Sequence, residues 1–234
     1  MFFEEHAKLL SEFARVSQAA GARADYVQGG GGNTSVKLPG GLMAIKASGF
    51  CLSDIRPDKA YAVLDGADLR KFYLTTEPSA LADVEKEGSA RAKDDVRHID
   101  GLADLRPSVE AGFHSILKTF VVHTHSVYAN LAACSTTCRP IAAQAFAGAN
   151  YTWGWVPYTD PGANLTFAIR DELRRVEAET GKAPSVILMQ NHGIIVHDDD
   201  PDTALAIHTD ANERLARMFG LSGTSFPKIA VREI

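Results

Sequence analysis

Two apolar runs constrain the fold of this chain more than any other feature. FVVHTH at residues 120–125 and SVILMQNHGIIVH at residues 185–197 are short, bounded by polar residues and rich in β-branched side chains. Such runs read as buried strands, the second as a strand, a turn at Gly193 and another strand. Both carry histidines inside otherwise apolar sequence, an expensive choice unless the rings have a task. The strands therefore fix a core and point to what it holds.

Around them the chain reads as one domain over residues 1–234. Its 234 residues suffice to bury a core without staples, and 45% hydrophobic with 23% charged residues is the balance of an ordinary globule. A net charge of -5 leaves no basic footprint for nucleic acid, and no apolar run approaches membrane-spanning length, so neither partner is expected. The first 22 residues carry Phe3, Leu9, Leu10, Phe13 and Val16 at helical spacing and lack the pattern of a secretory signal, which gives a cytoplasmic expectation. Cys51, Cys134 and Cys138 are too few and too irregular for a disulfide framework and read as reduced, the latter two as small buried thiols.

A Gly-rich stretch at 29–41 is followed by residues 42–50, whose Leu42, Met43, Ile45 and Phe50 make short strands plausible, while 76–106 is a polar surface excursion with at most a short helix. A helix is expected from near Ser108, another over SVYANLAAC, a third over NLTFAIRDELRRVEAETG with Asn164 as candidate cap and Gly181 at its end, and a last one closed by Gly220.

Alternation along a strand sends His123 and His125 to the same face, two residues apart, where both imidazoles can meet one ion. Catalytic zinc commonly takes three protein ligands and keeps a fourth position open. His192, in QNHG directly after VILM, is the natural third, aimed from a rigid element past a glycine that removes bulk. His6, His98, His197 and His208 lack such company and read as structural, and His114 reads as packing or a hydrogen bond near Glu110. Glu110 in PSVEAGF, just inside the expected helix, has a plain role at the positive helix end. It has a chemical one as well, as a carboxylate beside an ion that shuttles a proton at carbon. GGGGNTS matches neither standard nucleotide fingerprint, yet its backbone N–H groups with Asn33, Thr34 and Ser35 can nest an anion. KASG adds Ser48 and Gly49, with Lys46 as a countercharge.

In the order GGGGNTS, KASG, PSVE, HTH and NHG, these segments resemble the class II aldolase/adducin family over roughly residues 5–220. The family includes L-fuculose- and L-rhamnulose-phosphate aldolases, and the glycine string and KASG are most similar to the aldolase portion of bifunctional aldolase/short-chain dehydrogenases. The resemblance implies a three-layer α/β/α fold with a mixed, mostly antiparallel central sheet. It also implies a homotetramer acting on a small sugar or sugar phosphate, with zinc, or alternatively manganese or cobalt, on His123, His125 and His192. Glu110 takes the catalytic position, and Gly32, Asn33, Ser48, Gly49 and Ser108 the positions around substrate phosphate. Val109 departs from the pattern, replacing a second serine. The activity implied is aldol cleavage of a ketose, with ketose 1-phosphates foremost, to a dihydroxyacetone-type fragment and an aldehyde. Alternatives are a dehydratase of the methylthioribulose-1-phosphate type and a non-catalytic adducin-like module, though adducin-type members lack the three histidines. Tyr128, Tyr151 and Tyr158 compete for the second acid.

Overall fold

Residues 1–221 are described by a computed structural model of the chain. The single-domain expectation for 1–234 thus extends, over 222–234, outside the described residues.

The apolar runs form the middle of one sheet. Its strands are β1 (Asn33–Lys37), β2 (Leu42–Lys46), β3 (Tyr61–Asp65), β4 (Val96–Arg97), β5 (Phe120–Thr124), β6 (Trp153–Val156), β7 (Val186–Met189) and β8 (Gly193–Asp198). They lie in the order β4-β3-β2-β1-β5-β8-β7-β6. Only the β6–β7 pair is parallel, so the sheet is mixed and mostly antiparallel.

Alternate residues of these strands feed two separate apolar clusters. Phe120 and Val122 enter one and Val121 the other; Ile194 and Val196 are likewise opposed to Ile195. The first cluster is covered by α2 (Ala7–Gly21), α6 (Val127–Ala133), α7 (Cys138–Ala145) and α9 (Pro201–Met218). The second is covered by α3 (Gly66–Thr75), α4 (Val84–Asp94), α5 (Ala111–Ile116) and α8 (Ala163–Thr180). A short α1 (Phe2–Glu5) precedes α2. The result is a three-layer α/β/α fold.

Several local expectations need correction. The N-terminal helix breaks at His6, whose φ of -107° and ψ of 10° leave the helical region while its buried ring packs edge-on against Phe2. Asn164 lies inside α8 rather than capping it. Gly162 is the cap residue, and the orphan N–H groups of Ala163 and Asn164 donate to the Glu85 carboxylate of α4 at 2.9 and 2.7 Å. Gly181 does end α8, in the left-handed conformation. The 76–106 excursion contributes α4 and also β4, an edge strand on β3. Of Cys134 and Cys138, both free thiols, only Cys138 is buried; Cys134 is exposed. No helix among the described residues is long and apolar enough to cross a membrane.

Two buried structural histidines sit on opposite faces of the sheet, His208 in α9 and His197 on the side of β8 that Ile195 also faces. His208 is buried, accepts or donates at Thr124 Oγ1 over 2.8 Å and meets Tyr26 edge-on, while His197 is buried at the far end of β8. Burial pushes both rings down to about 3 from the ordinary 6.5. Below pH 6.5 the unfolded chain therefore binds protons that the folded chain refuses, so stability falls as pH drops toward about 3. His208→Gln removes one of those protons from the balance. Urea denaturation in pH steps is expected to show the variant's stability declining about 1.4 kcal/mol per pH unit less steeply near pH 5.

Candidate metal centre

β5 and β8 pair antiparallel with His123 opposite Ile195 and Thr124 opposite Ile194. His123 is thus set within β5, and His125 follows immediately beyond its end. The β7–β8 turn delivers His192 to the same place. Asn191 takes a left-handed φ of 54°, which its short amide side chain tolerates, and Gly193 then runs so close to β5 that a Cβ would lie 2.4 Å from the Thr124 carbonyl oxygen. Gly32 does the same on the other side of β5, with φ of 70° and space for a Cβ closed by the His123 carbonyl oxygen at 2.6 Å. These glycines let three chain segments crowd one point.

At that point the ring centroids of His123, His125 and His192 lie 4.9, 4.9 and 5.2 Å apart, with one ligand atom from each within 4.8 Å of the others. His123 Nε2 is 3.2 Å from His125 Nε2. Two nitrogens on a tetrahedral zinc sit about 3.3 Å apart, given bonds of about 2.0–2.1 Å. The His123 ring is oriented by its Nδ1–H, which donates to the Ile194 carbonyl at 3.0 Å and leaves the Nε2 lone pair facing its neighbours. Burial pushes His123 down to about 3 and also lowers His125, so both rings are neutral donors at neutral pH. His192 Nδ1 is buried and, among the described residues, has no hydrogen-bond partner. The donor set and its spacing fit a divalent cation.

Glu110 stands beside the triad, 3.0 Å from His192 Nε2 through Oε1 and 3.6 Å from His123 Nε2 through Oε2. It is not inside a helix as expected. An isolated bridge between Ala47 and Pro107 keeps the chain extended there, so α5 starts only at Ala111 and Glu110 is the residue before it. Its carboxylate makes no cap bond and turns into the centre instead. Burial works to raise its pKa, but the facing histidines and hydrogen bonds from His192 and Asn33 outweigh it and hold the carboxyl below the usual range. With His123 neutral, the hydrogen bonds carry that effect.

Asn33 is the cross-strand partner of His123. Its amide nitrogen donates to Glu110 and, at 3.1 Å, to Ser108 Oγ, while its oxygen accepts from His114 Nε2. His114, fully buried, has Ser35 Oγ on its other nitrogen at 2.8 Å. Both amide protons of Asn33 are committed to this network rather than free for a ligand. Ser108 Oγ also accepts the Glu110 N–H at 3.2 Å, which leaves its own proton to give. Ser48 accepts from the Arg106 guanidinium at 3.1 Å, and its N–H reaches the Arg106 carbonyl at 2.9 Å, so KASG lies along PSVE. Gly49 has a φ of 90° with open space beside it. Lys46 Nζ donates to the Phe50 and Gly30 carbonyls at 2.8 and 3.2 Å. The partnership of Asn33 with His114 and that of Arg106 with Ser48 are additions to the sequence reading. The four-residue spacing of Glu110 and His114 hints at the former, and nothing in the local sequence signals the latter.

Three imidazoles and a buried carboxylate at one end of an α/β/α sheet define a protein equipped to hold a divalent cation next to a base. The family model described as Class II Aldolase and Adducin N-terminal domain matches residues 11–219, and the chain belongs to that family. Solved structures of similar fold include the N-terminal class II aldolase domain of a conserved protein from Thermoplasma acidophilum, 21% identical with a TM-score of 0.72 over 89% of this chain and 92% of that one. A sugar-phosphate aldolase from Thermotoga maritima is 15% identical with a TM-score of 0.59, covering 92% and 96%. L-fuculose-1-phosphate aldolase from Thermus thermophilus is 15% identical with a TM-score of 0.54, covering 92% and 95%. No curated protein matches the chain significantly.

Asn33→Ala strands the Glu110 carboxylate and a His114 ring nitrogen without their partner. The variant is expected to lose about 2–6 kcal/mol, about 1–3 for each of the two buried groups left without Asn33, seen as a lower urea midpoint with an unchanged slope.

Proposed function

We propose that the chain is a divalent-metal aldolase that cleaves a ketose, with ketose 1-phosphates as the leading substrates, to a dihydroxyacetone-type fragment and an aldehyde. The observation that carries this reading is the Glu110 carboxylate packed against two of three clustered imidazoles, 3.0 Å from His192. Membership of the class II aldolase family supports it, as do similar folds whose own names are sugar-phosphate and fuculose-phosphate aldolases.

His123, His125 and His192 would hold the cation, zinc by preference for nitrogen ligands, with manganese and cobalt as substitutes. A bound cation supplies Lewis-acid polarisation of a carbonyl and stabilises negative charge that forms beside it. Glu110, ionised at neutral pH, takes a proton from the adjacent carbon in synthesis and, once protonated, returns it to that carbon as the carbon–carbon bond breaks. Its place next to the histidines, fixed by Asn33 and Ser108, aims the carboxylate at that carbon. Retention of all three histidines favours an enzyme over an adducin-like module.

The proton on the aldehyde oxygen needs a second group. Tyr128 and Tyr151 donate their hydroxyls to Asp25 and Asp210. Tyr158, 56% exposed, donates its hydroxyl to Asp160 at 2.8 Å, and its N–H is tied at 3.0 Å to Gln190, two residues before His192. All three hydroxyls thus have carboxylate partners, and none is singled out for this role. The substrate's anionic end is assigned to Ser48, Gly49, Ser108 and the backbone at Gly32.

A panel of ketose 1-phosphates and free ketoses, followed by mass spectrometry, is expected to yield an aldehyde and a three-carbon ketone from at least one member. Loss of water without fragmentation, or no product with zinc, manganese or cobalt added, would overturn the aldolase reading. Glu110→Gln is expected to retain the metal by elemental analysis while kcat falls about 10²–10⁴-fold.

A further inference from the structure

β1 lies inside the sheet, yet one of its two faces carries no apolar side chain. Alternation sends Asn33, Ser35 and Lys37 to the side that α5 covers, while Val36 enters the opposite cluster. All three hold the same residue. Asn33 Oδ1 meets His114 Nε2, Ser35 Oγ meets His114 Nδ1 at 2.8 Å, and Lys37 Nζ donates to the His114 carbonyl. The His114 ring is fully buried and stacks on Phe113 with centroids 4.7 Å apart. An apolar side chain at 114 would need none of these partners, so the ring is a costly way to fill the core.

The donors and acceptors leave one arrangement of hydrogens. A carboxylate at neutral pH only accepts, so the Asn33 amide must present its NH2 to Glu110, and it does, with Ser108 Oγ as the second acceptor. Its oxygen therefore faces His114, whose Nε2 must carry the proton. Burial keeps the ring neutral by pushing its pKa well below 6.5. A neutral imidazole has one N–H, so Nδ1 is bare and accepts from the Ser35 hydroxyl. Turning the amide over would set its oxygen against the carboxylate.

We infer that His114 is a positioning residue for the centre: its Nε2–H fixes which side of the Asn33 amide meets Glu110, so that Asn33 serves the carboxylate rather than the substrate. The inference rests on the reading of Glu110 as the base. His114 moves no proton in turnover and acts only through Asn33.

The first test needs no substrate. NMR at neutral pH on the full-length protein, isotopically labelled at the histidine ring nitrogens, is expected to show a ring with Nε2–H and bare Nδ1 that disappears in His114→Gln. A His114 ring carrying its proton on Nδ1, or on both nitrogens, would overturn the inference. The second test uses the ketose that the substrate panel identifies. His114→Phe, which keeps a ring but no donor, is expected to lower kcat about 10–100-fold with KM within about threefold of wild type. His114→Gln keeps an N–H donor and is expected to recover most of that loss. In an Asn33→Ala background His114→Phe is expected to lower kcat no further, because its path to Glu110 is already cut. Losses that add in full, or a Gln variant no better than Phe, would sink the inference alone. Full turnover in Glu110→Gln would sink the base reading, while an Nε2–H ring would keep the fixed amide.

Discussion

The antiparallel pairing of β1, β5 and β8 is the constraint on which the rest of the centre depends. Register between β1 and β5 sets Asn33 opposite His123, and register between β5 and β8 brings the start of β8 alongside the end of β5. A slip of one residue on either side would turn His123 or Asn33 into the opposite helix layer, because strand side chains alternate. The two apolar clusters make that slip costly: Val121, Ile195 and Ile187 share one cluster while Val122, Ile194 and Leu188 share the other. Ordinary hydrophobic burial thereby fixes the position of polar groups that contribute little to stability themselves.

Those polar groups are nearly all buried, which makes their mutual satisfaction decisive. From Ser35 through His114 and Asn33 to Glu110, each donor finds an acceptor inside the second layer. Buried networks rigidify when complete and destabilise when one member is missing. The carboxylate is accordingly held in one orientation before any ligand arrives, the kind of preorganisation that proton transfer at carbon requires.

Much of this was legible in the sequence because it is local. FVVHTH and VILMQNHGIIVH carry both the strand pattern and the histidines, so the triad and the sheet core followed from the same residues. The misses that shape the centre depend on distant partners. Pro107 looks like a helix start until its bridge to Ala47 is known, which moves Glu110 from inside α5 to the residue before it. Asn164 is a good cap by type, but the Glu85 carboxylate, 79 residues from it, already takes the N–H groups. Arg106 meets Ser48 across 58 residues, and no spacing rule reaches that far. Asn33 was legible as a residue near the centre but not as one whose amide is spent on Glu110, because that depends on strand register.

The lysine in KASG has a consequence for motion. By joining the Gly30 and Phe50 carbonyls, Lys46 links the glycine string to the loop after β2, two segments that would otherwise fluctuate separately. The glycine string and the loop after β2 are thereby coupled through one side chain. A ligand that lifts the glycine string must also shift the Ser48–Gly49 loop or break a buried ammonium from its carbonyls. The two segments are thus positioned as one unit, and displacing either disturbs the other through a single ammonium.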